Sequence, residues 1–503
     1  MRWSTPVTAA VAALVVTASV AVTSPAYGRP TVPAAGSGHQ LADRLERATR
    51  AAGALRHLRA WQSAADANGG TRAADTPGFA ASADYLVRRL RLAGYRVTRQ
   101  PVPYEYYRID TERAVALTTP PEPLRLLAMT WSPTTPPGGV EAPVRVLPTS
   151  RDGVVDPTPG CEPADYAGLP VTGTVVVLPR ASCGFVVQEQ TAVALGAVAV
   201  LFYMPTVRPD NIYRAYLFDP AAISVPVATI TQRAAGQLAA RTAGSEVRVR
   251  LEITAHRARA VTENILAETA GGRPDRVVMA GAHLDSVTES PGINDNAAAA
   301  AALLETAIRL APHQRAVRNK VRFAWWGAEE LIEVGSLHYL AQLDAEQRRR
   351  ISLYLNYELI ASPNFGRFIV DGDDAEHPGV GEKPPPPGSG AVEKVLTGYY
   401  GSRGLAYETV DLYSIGSDHW PFADVGIPVG GMDGGTYQAK TAEQAARYGG
   451  TAGEMFDRCY HQPCDDLSNL NLAEFDRNCR AVAWVVGRFA TDVEDVLAQR
   501  HDA

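Results

Sequence analysis

The segment Val277–Asp295, VVMAGAHLDSVTESPGIND, constrains the fold more than any other part of the chain. Its apolar beginning predicts a buried strand that ends at His283 and Asp285. A loop with proline and glycine then leads to Asp295 and to an alanine-rich run, residues 297–310, with the composition of a helix. Imidazole and carboxylate groups at the carboxyl end of a parallel strand are typical of α/β enzyme sites. We therefore expect the functional site at this edge of a sheet.

The C-terminal half predicts an α/β fold, because strand and helix patterns alternate from Asn264 onward. The strands predicted there are Arg276–Ala282, Val321–Trp326, Ile351–Tyr357, Gly366–Asp371 and Gly426–Gly430, and the last predicted helix is Leu472–Val496. Nearer the N-terminus, Tyr95–Val102 also alternates roughly as a strand does. Strands that are separated by helices pair in parallel. The pattern predicts a mostly parallel, mixed sheet that is flanked by helices.

Residues 139–255 have a different sequence pattern, in which short strand-like runs lie on both sides of one helical segment, Val187–Leu195. We expect an inserted β-rich domain here, which divides the main domain into residues 39–138 and 256–503. Within the insert, VVVLPRASCGF with Cys183 resembles the protease-associated domain, whose pattern is a strand, Arg-x-x-Cys and a helix. A generic β insertion is the alternative.

The N-terminal residues 1–28 predict a secretory signal peptide with Arg2 as its basic residue and an apolar run at Val7–Val22. Residues 29–38 follow as a flexible leader. The apolar run is short for a membrane span, which makes an uncleaved anchor the less favoured alternative. The formal net charge of −6 argues against nucleic acid as a partner. We expect a secreted, extracellular monomer with no stable membrane span after signal cleavage.

An exported protein can keep disulfides, and the chain has five cysteines. Cys459 and Cys464 are close in sequence, and Cys161 and Cys183 lie in the inserted segment. Bonds within these two pairs leave Cys479 free. Sequence alone does not fix this connectivity.

Several strands in the C-terminal half end in side chains that bind metals. These side chains are His283, Asp295, Glu329, Glu330, Glu358 and His461. Zinc accepts nitrogen and carboxylate oxygen together, and one zinc needs only three or four such ligands. Five strong ligands and a spare carboxylate indicate two metals, about 3.5–4 Å apart, that share one carboxylate. A carboxylate that is left over beside the metals is a candidate general base.

Each of these residues also has an ordinary structural interpretation. A histidine at a strand end is usually a satisfied surface residue, and an Asp before a helix is usually an N-cap. Paired glutamates before a helix usually interact with the helix dipole. Their joint occurrence at successive strand ends favours the functional interpretation.

The motifs HLDS…GINDNA, WWGAEE, NYELIASPN and CYHQPCD resemble those of the co-catalytic two-zinc exopeptidases. The similar group is the aminopeptidase Y and secreted bacterial leucyl aminopeptidase type, over about Arg50–Val496. The resemblance implies a zinc exopeptidase fold and the removal of N-terminal residues from peptides and proteins.

The resemblance also implies roles for individual residues. His283 and Glu358 would bind one Zn²⁺, Glu330 and His461 the other, and Asp295 would bridge them, with Glu329 as base, Asp285 orienting His283, and Tyr460 hydrogen-bonding the oxyanion. The segment SDHWPF, Ser417–Phe422, matches as well, and we interpret it as structural, with His419 packed rather than bound to metal.

The chain departs from the pattern of this similar family at three points. Glu358 replaces the Asp of many relatives but is still long enough to bind metal. Gly416 stands where some relatives have Arg, which changes how distant parts of the substrate are held. A Ca²⁺ site of some relatives is incomplete, because Leu472 replaces an acidic residue and only Asp476 remains.

Three other functions are compatible with this kind of fold. A carboxypeptidase or dipeptidase would need a basic residue for the substrate carboxylate, and the site motifs contain no Arg or Lys. A receptor-like protein without activity would have lost metal ligands, whereas all five positions hold competent residues. A glutaminyl cyclase would use a single zinc and would not usually carry the insert.

Overall fold

The structure is a computed structural model that describes residues 37–151, 154–381 and 383–501. The predicted signal peptide, residues 1–28, and residues 29–36 of the predicted leader lie outside this part of the chain. The helices are α1 (Ser37–Ala48), α2 (Ala51–Asp66), α3 (Pro77–Leu92), α4 (Gly184–Ala194), α5 (Gln232–Thr242), α6 (Ala299–Leu310), α7 (Val334–Ala341), α8 (Ala345–Arg349), α9 (Ser389–Ser402), α10 (His419–Asp424), α11 (Ala442–Tyr448), α12 (Leu472–Phe489) and α13 (Glu494–His501). Across the described ranges, none of the helices has the length and hydropathy that a bilayer span requires.

Fourteen strands form one sheet, and a two-stranded hairpin lies apart from it. The strands are β1 (Arg96–Ala116), β2 (Glu122–Leu124), β3 (Leu126–Ala128), β4 (Val140–Val146), β5 (Ser150–Arg151), β6 (Val154–Val155), β7 (Val175–Pro179), β8 (Ala199–Tyr203), β9 (Val227–Ile230), β10 (Arg248–Glu268), β11 (Arg273–His283), β12 (Asn319–Trp326), β13 (Ile351–Glu358), β14 (Phe368–Val370), β15 (Glu408–Val410) and β16 (Val429–Asp433). β5 and β6 form the separate hairpin.

The larger part of the sheet has the strand order β15-β14-β16-β13-β11-β12-β10. β12, β11, β13 and β16 run parallel to one another. β10 runs antiparallel to β12, and β14 runs antiparallel to β16 but parallel to the edge strand β15. All residues of β13 are buried, as expected for a central strand with both faces covered. The prediction of a mixed, mostly parallel sheet with flanking helices is confirmed.

The alanine-rich run that follows Asp295 forms α6, which lies against the sheet. Its alanines from Ala299 to Ala302 are fully buried. Small side chains let the helix approach the sheet so closely that the indole of Trp325 donates a hydrogen bond to the carbonyl oxygen of Ala300 at 3.0 Å. The loop between β11 and α6, residues 284–298, which we call the metal-side loop, is therefore anchored at its end by a helix packed against the sheet.

The strands β1 and β10, with 21 residues each, pair antiparallel as a long ribbon that leads into the insert. β4 pairs with the first residues of β10, and β7, β8, β9 and β3 follow in order. β3 lies before residue 139 although it pairs with β9 of the insert. The boundaries 139–255 stay a prediction.

Two helix predictions are wrong in detail. The insert contains α5 in addition to the predicted helical segment, and the buried face of α5 is formed by Ala234, Ala235 and Leu238. The predicted last helix, Leu472–Val496, is two helices, since α12 ends at Phe489 and α13 begins at Glu494. Asp492 accepts a hydrogen bond from the Glu494 amide at 3.0 Å and starts the second helix.

Candidate metal centre

The carboxyl ends of three neighbouring parallel strands place predicted ligands at one edge of the sheet. β11 ends at His283 and β13 ends at Glu358. The turn after β12 carries Glu329 and Glu330. Because these strands are adjacent and parallel, their last side chains point into the same space.

Two loops complete the cluster. Asp295 lies in a buried turn between β11 and α6, and His461 lies in the loop before α12. The side chain of Asp295 is only 6% exposed, and that of His461 is 21% exposed. The cluster is thus buried on the Asp295 side and open to a cavity on the His461 side.

Asp295 lies between the two imidazoles of the cluster. Its Oδ1 is 3.4 Å from Nε2 of His283, and its Oδ2 is 3.2 Å from Nε2 of His461. Each carboxylate oxygen therefore faces a different histidine. A carboxylate in this position can serve two neighbouring cations.

Each histidine also has its own carboxylate partner. Nε2 of His283 is 3.0 Å from Oε1 of Glu358, and Nε2 of His461 is 3.2 Å from Oε2 of Glu330. Each half of the cluster thus offers one nitrogen and two carboxylate groups, when an oxygen of Asp295 is included. This mixed nitrogen and oxygen set is one that zinc accepts.

Two buried oxygens in the cluster lack hydrogen-bond partners, namely Oδ2 of Asp295 and Oε1 of Glu330. The contact of Asp295 Oδ2 with His461 is short but lacks hydrogen-bond geometry. A buried carboxylate oxygen without a partner is costly. The donor set therefore fits metal ions better than it fits a closed hydrogen-bond network.

The electrostatics of the cluster also favour cations. Burial alone would lower the pKa of His283, but the carboxylates of Glu358 and Glu329 raise it well above its ordinary value. Burial would likewise lower the pKa of His461, which Glu330 and Asp295 raise instead. The carboxylates thus create a negative electrostatic potential that stabilises positive charge at the position where divalent cations would bind.

Glu329 differs from its neighbour Glu330 in its position. Its Oε2 is 3.7 Å from Nε2 of His283, and its side chain lines the cavity in front of the cluster. Burial raises the pKa of Glu329 well above its ordinary value. A cavity-lining carboxylate with a raised pKa is a candidate acid or base.

Asp285, which the sequence predicts to orient His283, also contacts the backbone of both glutamates. Its backbone carbonyl accepts a hydrogen bond from Nδ1 of His283 at 3.1 Å, while its Oδ1 lies 3.6 Å from the same nitrogen. The carboxylate accepts the backbone N–H groups of Glu329 at 3.2 Å and Glu330 at 3.3 Å. Asp285 therefore links the end of β11 to the turn that carries both glutamates.

The sequence predictions missed two supporting residues. Asp465 accepts the backbone N–H groups of Asn294 at 2.9 Å and Asp295 at 3.0 Å. Ser417 donates a hydrogen bond to Oε2 of Glu358 at 2.8 Å. The only available signals were the positions of Asp465 directly after Cys464 and of Ser417 at the start of SDHWPF.

His419 lies in the same SDHWPF segment and is buried away from the metal cluster. Its Nε2 lies 2.9 Å from the carbonyl oxygen of Leu412. Burial lowers the pKa of His419 to about 4, so the imidazole stays neutral. This position agrees with the expectation that His419 is packed.

Several residues beside the ligands have left-handed backbone conformations although they are not glycines. The φ angles are 61° at Ala328, 45° at Leu359 and 55° at His461. Such conformations are unfavourable for residues with a Cβ and persist only where the surrounding structure enforces them. Backbone strain thus accompanies the placement of the ligands.

Both predicted disulfides are present, and one of them closes the loop that carries His461. Cys459 bonds to Cys464, and Cys161 bonds to Cys183. The free cysteine, Cys479, is buried in α12. Within the closed loop, the ring of Tyr460 stacks on His461 with 3.9 Å between centroids, and Tyr460 lines the cavity.

Two cavities meet at the cluster. The smaller one has a volume of about 590 Å³ and contains all six predicted metal-side residues. Its apolar walls are Leu359, Phe368, Val410, Ile415 and Phe456. The larger one, of about 840 Å³, lies towards the insert and shares only Glu330 and His461 with the smaller one.

The insert contacts the loop that carries His461. Asn211 donates a hydrogen bond to the carbonyl oxygen of Arg458 at 3.1 Å. Gln462 donates to the carbonyl oxygen of Ile212 at 2.7 Å. The insert thus supplies none of the predicted ligands but supports the segment that does.

Two family models match the chain. The model of peptidase family M28 matches residues 264–486, which include every predicted ligand. The model of the PA domain matches residues 143–238, inside the predicted insert.

Two related proteins align with most of the chain. An aminopeptidase of Pseudomonas aeruginosa is 37% identical over 446 residues, which cover 88% of this chain and 81% of that protein. A probable lipoprotein aminopeptidase, LpqL, of Mycobacterium tuberculosis is 38% identical over 450 residues, with 87% and 85% covered.

Solved structures share the fold at lower sequence identity. BSAP, a zinc aminopeptidase from Bacillus subtilis, has a TM-score of 0.65 at 20% identity, covering 87% of this chain and 94% of that one. A peptidase M28 precursor from Shewanella amazonensis has a TM-score of 0.68 at 19% identity, with 90% and 97% covered.

Proposed function

The chain belongs to peptidase family M28 and is a zinc-dependent aminopeptidase with an inserted PA domain, and from this premise we propose that it acts through two zinc ions. The observation that carries the proposal is the position of Asp295. Its two oxygens face the two histidines separately, at 3.4 Å and 3.2 Å. A single metal would leave one half of this cluster unused.

In this proposal each zinc has its own pair of ligands and shares Asp295. His283 and Glu358, which are 3.0 Å apart, would hold one ion, and Glu330 and His461, which are 3.2 Å apart, would hold the other. Glu358 keeps its orientation through the hydrogen bond from Ser417. The three carboxylates neutralise three of the four positive charges that two zinc ions bring.

The bound ions would supply an acidified water and polarise the scissile carbonyl group. Glu329 accepts the proton of the attacking water and returns it to the leaving amine. Its carboxylate faces the cavity where the substrate carbonyl would lie. Tyr460, on the disulfide-closed loop, donates a hydrogen bond to the oxyanion. Asp285 keeps Glu329 in place through the backbone amide that it accepts.

The smaller cavity favours a free N-terminus over a free C-terminus. Among the described residues that line it, none is Lys or Arg, so a substrate carboxylate would find no basic partner. The same walls present several carboxylates, which suit a cationic α-amino group. The apolar part of the cavity accepts an apolar N-terminal side chain.

We further propose that the enzyme works outside the cytoplasm as a secreted monomer. The two disulfides fit an oxidising compartment. Export would depend on residues 1–28, which the sequence predicts to be a signal peptide.

The proposal is tested with matched substrates and metal depletion. Leucine p-nitroanilide should be cleaved, whereas its N-acetyl form and an N-blocked peptide with a free C-terminus should not. A chelator should abolish cleavage, and zinc should restore it. Cleavage of the N-blocked peptide would favour a carboxypeptidase, and cleavage that persists without metal would contradict the mechanism.

A further inference from the structure

We propose that the substrate residues after the cleaved bond bind as an added β-strand along the open edge of β1, from Glu105 to Glu112. This inference rests on the proposed aminopeptidase function. It assigns the larger cavity to the peptide residues that follow the cleaved bond. The occupant is an unblocked peptide in an extended conformation, recognised mainly through its backbone.

The first observation is that β1 has a free edge. On one side it pairs with β10 from Arg96 to Ala116, apart from a bulge at Asp110. On its other side, within the described residues, β1 pairs only with β2, over Ala114–Ala116. The edge before Ala114 therefore presents backbone N–H and C=O groups that no other strand uses. A free strand edge is a template for pairing with an extended chain.

The second observation is that this edge forms a wall of the larger cavity. All eight consecutive residues from Glu105 to Glu112 line the cavity of about 840 Å³, and none of their β10 partners does. Side chains of successive strand residues point to opposite faces of the sheet. A run of consecutive lining residues therefore means that the strand turns its edge, rather than one face, to the cavity.

The third observation is continuity with the metal cluster. Glu330 and His461 line both cavities. The smaller cavity contains the whole cluster and suits the N-terminal residue, and the larger cavity continues from it at Glu330 and His461, where the rest of the peptide would lie. The metal-side loop forms another wall of the larger cavity through Val287, Thr288 and Glu289.

The direction of the bound peptide follows from the position of β1. Tyr104 belongs to one small apolar cluster with Ala74 and with Ala328, the residue directly before Glu329, so the beginning of the free edge lies near the metal cluster. At the far end, Arg214 of the insert joins Glu112 of β1, at 2.9 Å, to Glu289, at 2.6 Å. A peptide whose N-terminus is at the metals therefore runs parallel to β1.

The length of the free edge of β1 limits how many peptide residues can pair with it. Eight strand residues span roughly 26 Å at about 3.3 Å per residue. Binding by strand addition uses backbone hydrogen bonds and tolerates many side chains. We expect kcat/KM for the series Leu-Ala to Leu-(Ala)₆ to rise with length and then to level off.

The decisive experiment replaces one peptide N–H at a time. In Leu-(Ala)₆, esters are substituted for the amide bonds at residues 3, 4, 5 and 6 in turn, which removes one hydrogen-bond donor each. Along an added strand, alternate N–H groups face the edge. Esters at alternate positions should lower kcat/KM about three- to tenfold, as for the loss of one net hydrogen bond, and the others should have little effect.

A variant of the opposite wall provides a second test. Thr288→Trp should narrow the cavity and lower the ratio of kcat/KM for Leu-(Ala)₆ to that for leucine p-nitroanilide. The matched control is Leu92→Trp, at a site that is 79% exposed and lines neither of the two cavities, which should leave the ratio unchanged. An unchanged ratio in Thr288→Trp would contradict the assignment of the cavity.

The outcomes separate this inference from the proposed function. If leucine p-nitroanilide is cleaved but the ester scan shows no effect or a uniform effect, strand addition is wrong and the aminopeptidase assignment stands. If the zinc-loaded enzyme cleaves neither leucine p-nitroanilide nor Leu-Ala, the proposed function itself fails.

Discussion

At the scale of single residues, adjacent glutamates have different positions in the cluster. Oε2 of Glu330 lies 3.2 Å from Nε2 of His461, whereas Oε2 of Glu329 lies 3.7 Å from Nε2 of His283. We predict that Glu329→Gln keeps the zinc content but lowers kcat by about 10²–10⁴-fold, because the proton acceptor is lost. Kinetics and metal analysis of the same preparation test this. A metal-depleted but partly active Glu329→Gln enzyme would reverse the two roles.

A second residue-scale prediction concerns Asp465, which accepts two backbone N–H groups of the Asp295 loop. In Asp465→Asn, one of these N–H groups would face an amide NH₂ group. We expect zinc affinity to fall about 10–100-fold, as for other partners that hold metal ligands. Zinc competition against a fluorescent chelator measures this affinity.

Asp466→Asn is the matched control for this prediction, because Asp466 caps a short turn through Ser468 and does not contact the Asp295 loop. Its zinc affinity should be that of the wild type. Equal losses in the two variants would show that Asp465 has no specific role in holding Asp295.

At the scale of elements, the disulfide-closed loop places Tyr460 and His461 together. The bond joins residues only five positions apart, so its effect on the entropy of the unfolded chain is limited. We predict that the Cys459→Ser/Cys464→Ser variant loses activity and zinc before it loses secondary structure, which circular dichroism follows. The control pair, Cys161→Ser/Cys183→Ser, should keep activity on leucine p-nitroanilide. Full activity of the first variant would refute a positional role for the bond.

A second element-scale prediction concerns the contact of α2 with α6. His57 of α2 is buried, with Nδ1 2.8 Å from the hydroxyl of Tyr85 and Nε2 3.3 Å from Oε2 of Glu305. Burial lowers the pKa of His57. Burial would raise the pKa of Glu305, but hydrogen bonds from His57 and Arg309 lower it overall.

Both shifts have the same consequence for stability. Because the unfolded chain binds protons at higher pH than these folded groups do, their contribution is present above the unfolded pKa values and decreases as the pH falls. For His57 the decrease begins near the ordinary pKa of about 6.5. The melting temperature should therefore fall between pH 7 and pH 5, and it should fall less in His57→Gln. The exposed His39→Gln is the control, and an equal fall in His57→Gln and the wild type would contradict the prediction.

At the scale of the whole molecule, the insert is tied to the metal cluster in two ways. The ribbon of β1 and β10 continues the main sheet into the insert, since β10 pairs with both β12 and β4. Loop residues of the insert also hold the segment of His461. The insert therefore continues the main sheet and supports the loop that carries His461.

Much of this architecture could be predicted from the sequence because it depends on local patterns. Apolar runs that end in His283 or Glu358 indicate strands whose carboxyl ends meet, and a shared edge follows from parallel pairing. The ribbon of β1 and β10 was harder to predict, because only the segment Tyr95–Val102 shows a strand pattern in the sequence. The remainder of β1 is a strand because it pairs with β10 residues that are distant in sequence.

The supporting part of the site could not be predicted for a related reason. Asp465 and Ser417 are residue types common in turns, and only tertiary contacts give them a role. Left-handed conformations at Ala328 and His461 have no glycine to indicate them. The contact of the insert with the metal cluster depends on the fold of both parts.

The central claim is that Asp295 joins two zinc sites, and zinc stoichiometry tests it most directly. Metal-free protein should bind two zinc ions per chain in a calorimetric titration, with elemental analysis of the dialysed product giving the same number. Asp295→Ala should bind zinc weakly at both positions. A wild-type stoichiometry of one zinc per chain, unchanged in Asp295→Ala, would contradict the two-zinc account.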